Sequence, residues 1–174
     1  SEPRNLQSSY QQVRRNQGSA GVDHETIEQF AEHLEENLED LSRRLREGRY
    51  HPQAIRRVWI PKPGRQEKRP LGIPTVRDRV VQGALRNVLE PIFERDFAAQ
   101  SYGFRPGKST KDALRRVSEL LKAGYTEVVD ADLRSYYDTI PRPALLERLK
   151  AKISDGRVLD LVSAFLEQQV MEGL

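Results

Sequence analysis

Apolar positions along this chain recur mostly at helical spacing, interrupted by two stretches with a different rhythm. Residues 4–16 predict a short, largely polar helix, and 16–21 a Gly/Ser loop. Across 23–46, Ile27, Phe30, Leu34, Leu38, Leu41 and Leu45 fall on one face, which predicts a single helix. Asp23 suits its N-cap, early carboxylates and late arginines suit the helix dipole, and Gly48 suits its stop. Residues 54–60 and 68–73 predict two strands joined by a turn through Gly64. Thr75 with Asp78 three residues on is a capping-box-like start for a helix over 76–97, which Pro91 is expected to bend or break. A loop at 98–108 leads to a helix over 109–122. Residues 126–133 alternate like a strand, and helices are predicted at 142–152 and 156–172. Helices of varied length around a few non-alternating strands predict an α+β fold without internal repeats.

The strand-like stretch carries the most pointed chemistry. Side chains two apart on a strand share a face, so Asp130 and Asp132 would lie together, roughly 6–7 Å apart. Like charges so placed repel unless a cation sits between them, and Mg²⁺ takes one or two carboxylates plus substrate phosphates. Tyr136, Tyr137 and Asp138 follow, then a Pro-bounded helix start at Pro141 and Pro143. An acidic edge strand with surface tyrosines is the plain alternative.

Composition alters the picture through charge. The chain has 174 residues, enough for one domain or two small lobes, and no cysteine, which excludes disulfides, zinc knuckles and thiol chemistry. No apolar run approaches the ~18 residues of a membrane helix. A cytoplasmic protein away from membranes is expected. Charged residues make up 32%, against a usual ~25%, and mean hydropathy is −0.72. The net charge of +3 hides segregation. Residues 23–40 hold eight acidic side chains and no Lys or Arg, whereas 43–69 hold ten basic ones against Glu47 and Glu67. A basic block with one tryptophan and several prolines suggests a polyanion partner. Its hairpin carries Arg56, Arg57, Lys62, Arg65, Lys68 and Arg69, suited to gripping phosphates; lysines guarding an edge strand are the alternative. The loop 101–110 ends in Gly-Lys-Ser but is not a P-loop. Three residues lie between Gly103 and Gly107, where that motif needs four, and no strand precedes them. Ser109 is instead expected to cap the next helix.

Three ordered segments together resemble the reverse transcriptases encoded by bacterial group II introns, the intron maturases. They are Ile-Pro-Lys-Pro…Lys-Arg-Pro-Leu-Gly-Ile-Pro-Thr-Val-Arg-Asp-Arg-Val-Val-Gln (60–82), Leu-Glu-Pro-Ile-Phe-Glu…Ser-Tyr-Gly-Phe-Arg-Pro-Gly-Lys-Ser (89–109) and Val-Val-Asp-Ala-Asp-Leu-Arg-Ser-Tyr-Tyr-Asp-Thr-Ile-Pro (128–141). Gly21-Val22-Asp23 sits where the family has its N-terminal extension motif, and the resemblance covers most of 16–174.

The resemblance implies a right-hand polymerase, with fingers and N-terminal extension over 1–100 and the start of the palm over 101–174. It implies that Asp132 binds Mg²⁺, that Leu133 offers its carbonyl to a second metal, and that Tyr137 gates against the 2′-hydroxyl. Asp130 is implied to be a supporting residue. Lys62 and Arg69 match nucleotide contacts; Arg105 and Lys108 lie in a loop matching a region near the template and primer backbone. RNA, a DNA primer and deoxynucleoside triphosphates are the implied partners, with a homodimer left open. The family's Tyr-x-Asp-Asp turn and Pro-Gln-Gly loop occur nowhere in the 174 residues. A fragment inactive by itself is therefore expected. The alternatives are a non-catalytic RNA-binding maturase module and a CRISPR-associated reverse transcriptase.

Overall fold

The computed structural model describes residues 3–61, 63–64, 67–133 and 136–172. Its elements in order are α1 (Pro3–Asn16), α2 (Ile27–Glu32), α3 (Leu34–Arg46), β1 (Ile55–Pro61), β2 (Lys68–Ile73), α4 (Val76–Glu94), α5 (Thr110–Lys122), α6 (Tyr136–Thr139), α7 (Arg142–Lys150), α8 (Gly156–Leu166) and β3 (Val170–Met171). They fall into two compact units, one formed by residues up to Leu89 with those from Arg142 onward, the other by Glu90–Pro141. The chain is α+β: mainly helices, with one small sheet. Among the described residues no helix is long and apolar enough to cross a membrane.

The first unit holds the buried core. Leu6, Tyr10 and Val13 of α1 pack with Phe30, Leu41, Val76, Val80 and Val81. The helix expected to be polar thus buries one face, because apolar residues three and four apart make a stripe even in a polar sequence. Its contact with α4 is close: a Cβ on Gly83 would stand 2.2 Å from Ser9 Oγ, which donates to the carbonyl of Val80 at 2.6 Å. Gly21 is similarly tight, since a Cβ there would meet the Thr75 backbone at 2.7 Å.

The long helix expected over 23–46 is two helices. Thr26, not Asp23, is the cap. Its hydroxyl accepts from the Gln29 amide at 3.2 Å, and the Gln29 side chain accepts from the Thr26 amide at 2.9 Å. That reciprocal pair satisfies two end donors, whereas Asp23 accepts from the Glu25 amide, outside the helix. The chain breaks at His33 (φ −123°, ψ 40°), and Asn37 Nδ2 donates to the Phe30 carbonyl beside the break. Ile27, Phe30, Leu38 and Leu41 still reach the core, so the periodicity survives the break and does not reveal it.

The sheet has the order β2-β1-β3. β1 and β2 pair antiparallel from Arg56 opposite Ile73 to Pro61 opposite Lys68. β3 lies parallel to β1, with Ile55 opposite Val170, on a stretch expected to be helical. Helix α8 instead stops at Leu166, and Ile55 donates its amide to the Gln169 carbonyl at 2.8 Å, while Gln168 Nε2 donates to the Gln53 carbonyl at 2.7 Å. Pairing the open edge of β1 satisfies backbone groups that another helical turn would leave to solvent.

Two further expectations are corrected. The helix expected over 76–97 ends at Glu94, and of the bend or break expected at Pro91 the break is absent. Residues 126–133 form no strand. A strand is held by its neighbour, and among the described residues none pairs with this stretch; Val128 is 80% exposed and Val129 92%.

Candidate nucleic-acid interface

The basic hairpin is anchored at both feet by one carboxylate. Asp78, fully buried in the first turn of α4, accepts from the Tyr50 hydroxyl at 2.6 Å, the Gln53 amide at 3.2 Å and the Thr75 hydroxyl at 2.9 Å. Gln53 lies just before β1 and Thr75 just after β2. The Asp78 amide returns a bond to the Thr75 hydroxyl at 3.1 Å, which completes the expected cap. Burial pushes the Asp78 carboxyl above its usual range, although Tyr50, Thr75 and Gln53 pull the other way. Burial, then the Asp78 charge, pushes the Tyr50 phenol up in turn. The sequence shows the Thr75–Asp78 cap but no sign of Tyr50, 28 residues away.

The pairing register sorts the cations of the hairpin. Arg56 and Arg69 share a face with Val58, Ile60, Leu71 and Ile73; Arg57 and Lys68 share the other with Trp59 and Pro70. Lys68 and Arg69 are exposed. Arg57 is held by Glu172 at 2.8 Å, and Arg56 Nε is buried with no hydrogen-bond partner among the described residues. Lys62 and Arg65 lie outside the described residues. Much of the basic run on α3 is compensated locally. Arg44 pairs with Asp40 at 2.7 Å, Arg43 also pairs with Asp40, and Arg49 pairs with Glu47. Desolvation opposes ionisation of Asp40, yet bonds from Arg44 and Arg43 outweigh it and hold that carboxyl low. The available positive surface thus narrows from the whole 43–69 block towards the hairpin.

In the second unit Arg105 is turned inward, its side chain 9% exposed. It donates to Glu94 Oε1 at 2.7 and 3.0 Å and to the carbonyls of Ala98 and Ser101 at 2.7 and 2.9 Å, with its guanidinium over the Phe97 ring. Its chemistry here is to brace the loop. Lys108 donates to the Ala99 carbonyl at 3.1 Å and lies 5.1 Å above the Tyr102 ring. Ser109 caps α5, as expected, and the structure adds a reciprocal box with Asp112.

Asp130, Asp132 and Leu133 are exposed in the irregular stretch before α6. Tyr136 and Tyr137 form an edge-to-face pair with centroids 5.5 Å apart, Tyr137 being 82% exposed. Among the described residues no three acidic or imidazole groups gather as a metal site. The segment offers hard carboxylate oxygens, the donor type Mg²⁺ prefers and usually takes one or two of from protein.

Residues 60–173 match the family described as reverse transcriptase (RNA-dependent DNA polymerase), and the chain belongs to that family. Its relatives identify the group II intron reverse transcriptase and maturase branch, as the motifs implied. The chain is 33% identical to the group II intron-encoded protein LtrA of Lactococcus lactis subsp. cremoris, over 94% of this chain and 27% of that protein. It is 41% identical to protein YkfC of Escherichia coli K12, over 82% of this chain and 38% of YkfC. It is 32% identical to the mitochondrial nuclear intron maturase 1 of Arabidopsis thaliana, over 54% of this chain and 13% of that protein. The chain thus spans well under half the length of these relatives.

Proposed function

We propose that this chain carries the fingers and the first part of the palm of a group II intron-encoded reverse transcriptase, which binds intron RNA and copies RNA into DNA. The observation that carries the reading is the hairpin. It presents Lys68 and Arg69 to solvent from a sheet whose feet are pinned by Asp78, inside the stretch that matches the polymerase family. A rigidly rooted ribbon can hold cations against phosphates with little further ordering cost.

In this reading Arg69 and Lys62 contact the triphosphate, and Arg56, Arg57, Arg65 and Lys68 serve RNA. Arg105 serves the nucleic acid indirectly, by holding its loop in shape. Asp132 and the Leu133 carbonyl would hold Mg²⁺, which when bound supplies charge stabilisation to the attacking and leaving oxygens. Tyr137 would lie under the sugar and exclude a 2′-hydroxyl. DNA primer and deoxynucleoside triphosphates are partners of the whole polymerase.

The test is RNA affinity as a function of salt, with single-stranded RNA and the 174-residue chain. Affinity should fall steeply with salt, and Lys68→Ala should lessen the log–log slope by about 0.7, the share of one lost phosphate contact. An unchanged slope would remove the hairpin from the interface.

A further inference from the structure

The loop between α4 and α5 holds one side chain that the function described so far leaves unused. Phe104 is 99% exposed, and its φ of 54° lies in the left-handed region that phenylalanine rarely adopts. The ring is thus displayed at a conformational cost and buries almost none of its surface against the described residues. The loop beneath it is built, not slack. Arg105, the next residue, donates to Glu94 and to the carbonyls of Ala98 and Ser101. The Arg105 carbonyl accepts from the Lys108 amide at 3.3 Å, closing a turn through Gly107 at φ 69°. On the same loop the Lys108 ammonium lies over Tyr102, and Lys111 stands exposed in the first turn of α5. A hydrogen-bonded loop that lifts an aromatic ring into water, with lysines four and seven residues on in sequence, has the ingredients of a single-strand nucleic-acid contact. The ring supplies a face for a base, and the cations draw the backbone.

We propose that Phe104 is a stacking platform for an unpaired base of single-stranded RNA. The inference rests on the nucleic-acid reading above and adds to it a residue of defined chemistry. Stacking requires a base that is not already stacked on both faces, so the contact discriminates single-stranded from duplex RNA. It adds no charge, so it acts on affinity without acting on the salt slope.

The experiment compares the wild-type chain with Phe104→Ala and Phe104→Trp, using a single-stranded RNA carrying 2-aminopurine and a duplex RNA of the same length. Phe104→Ala should weaken single-strand binding about fivefold to a hundredfold, leave the salt slope and duplex affinity unchanged, and lose the fluorescence quenching that stacking produces. Phe104→Trp should restore both affinity and quenching. The melting temperature of Phe104→Ala should match the wild type, since the ring covers nothing. Wild-type affinity and quenching in Phe104→Ala would overturn the inference while leaving the nucleic-acid reading intact. A melting temperature several degrees lower would overturn it by giving the ring a packing role. Absence of salt-dependent RNA binding in the wild type would overturn both.

Discussion

Replacing Asp78 with alanine isolates the anchor of the hairpin. The substitution leaves the Tyr50 hydroxyl, the Gln53 amide and the Thr75 hydroxyl without their acceptor in a buried site. A stranded donor costs about 1–3 kcal/mol, so three would cost roughly 3–9 kcal/mol if none relaxed. Two effects reduce this. The carboxylate is itself buried, which disfavours its charged form and raises its pKa, and the variant is relieved of that cost. The Tyr50 hydroxyl is only partly buried and can turn to water. A net loss of about 3 kcal/mol is expected, a large share of the ~5–15 kcal/mol that holds a typical domain together. At about 2–4 °C per kcal/mol for a chain of this size, the melting temperature should fall by about 6–12 °C. Circular dichroism with heat and urea measures it, and Asp78→Asn, which keeps one acceptor and the volume, should lose less. The sign of the pH dependence gives a second check. A carboxyl whose folded pKa is raised stabilises the fold fully below its unfolded value of ~3.9 and loses that contribution as pH rises through the folded pKa. The advantage of wild type over Asp78→Asn should therefore be larger near pH 4 than near pH 7. A loss below about 0.5 kcal/mol in Asp78→Ala would refute the anchor, and an advantage that grows with pH would refute the raised pKa.

Two other sets of expectations follow, one from the close crossing of α1 and α4 and one from the family's motif. Gly83→Ala should destabilise the first unit by about 1–3 kcal/mol in urea unfolding, because its methyl meets Ser9 Oγ. Adding Ser9→Ala, which removes that oxygen, should recover part of the loss; a Gly83→Ala chain more stable than wild type would follow helix propensity and contradict the close crossing. In a longer polypeptide that contains this chain and extends primers, Asp132→Asn should slow extension about a hundredfold or more while RNA affinity persists. Asp130→Asn should be milder and Tyr137→Ala should admit ribonucleotides, so normal extension by Asp132→Asn would misplace the metal.

The sequence by itself determined the elements whose signals are local. The two hairpin strands, the Thr75–Asp78 cap, the Ser109 cap and the stop at Gly48 all depend on residues a few positions apart, and all formed as read. The family was legible for the same reason, since its motifs are short runs in a fixed order. Tertiary structure alone decided what depends on distant partners. The alternation at 126–133 is a strand only if another strand lies beside it, and Val170 turned from predicted helix to strand because the edge of β1 lay open. Arg105 and Lys68 look alike in a list of basic residues. One is consumed by Glu94 and two carbonyls, while the other stands exposed on the hairpin. Asp78 read as a cap became the joint of the hairpin once folding brought Tyr50 and Gln53 to it. Spacing along a chain encodes local geometry, but a side chain's electrostatic role is set by whichever groups the fold places within hydrogen-bond reach.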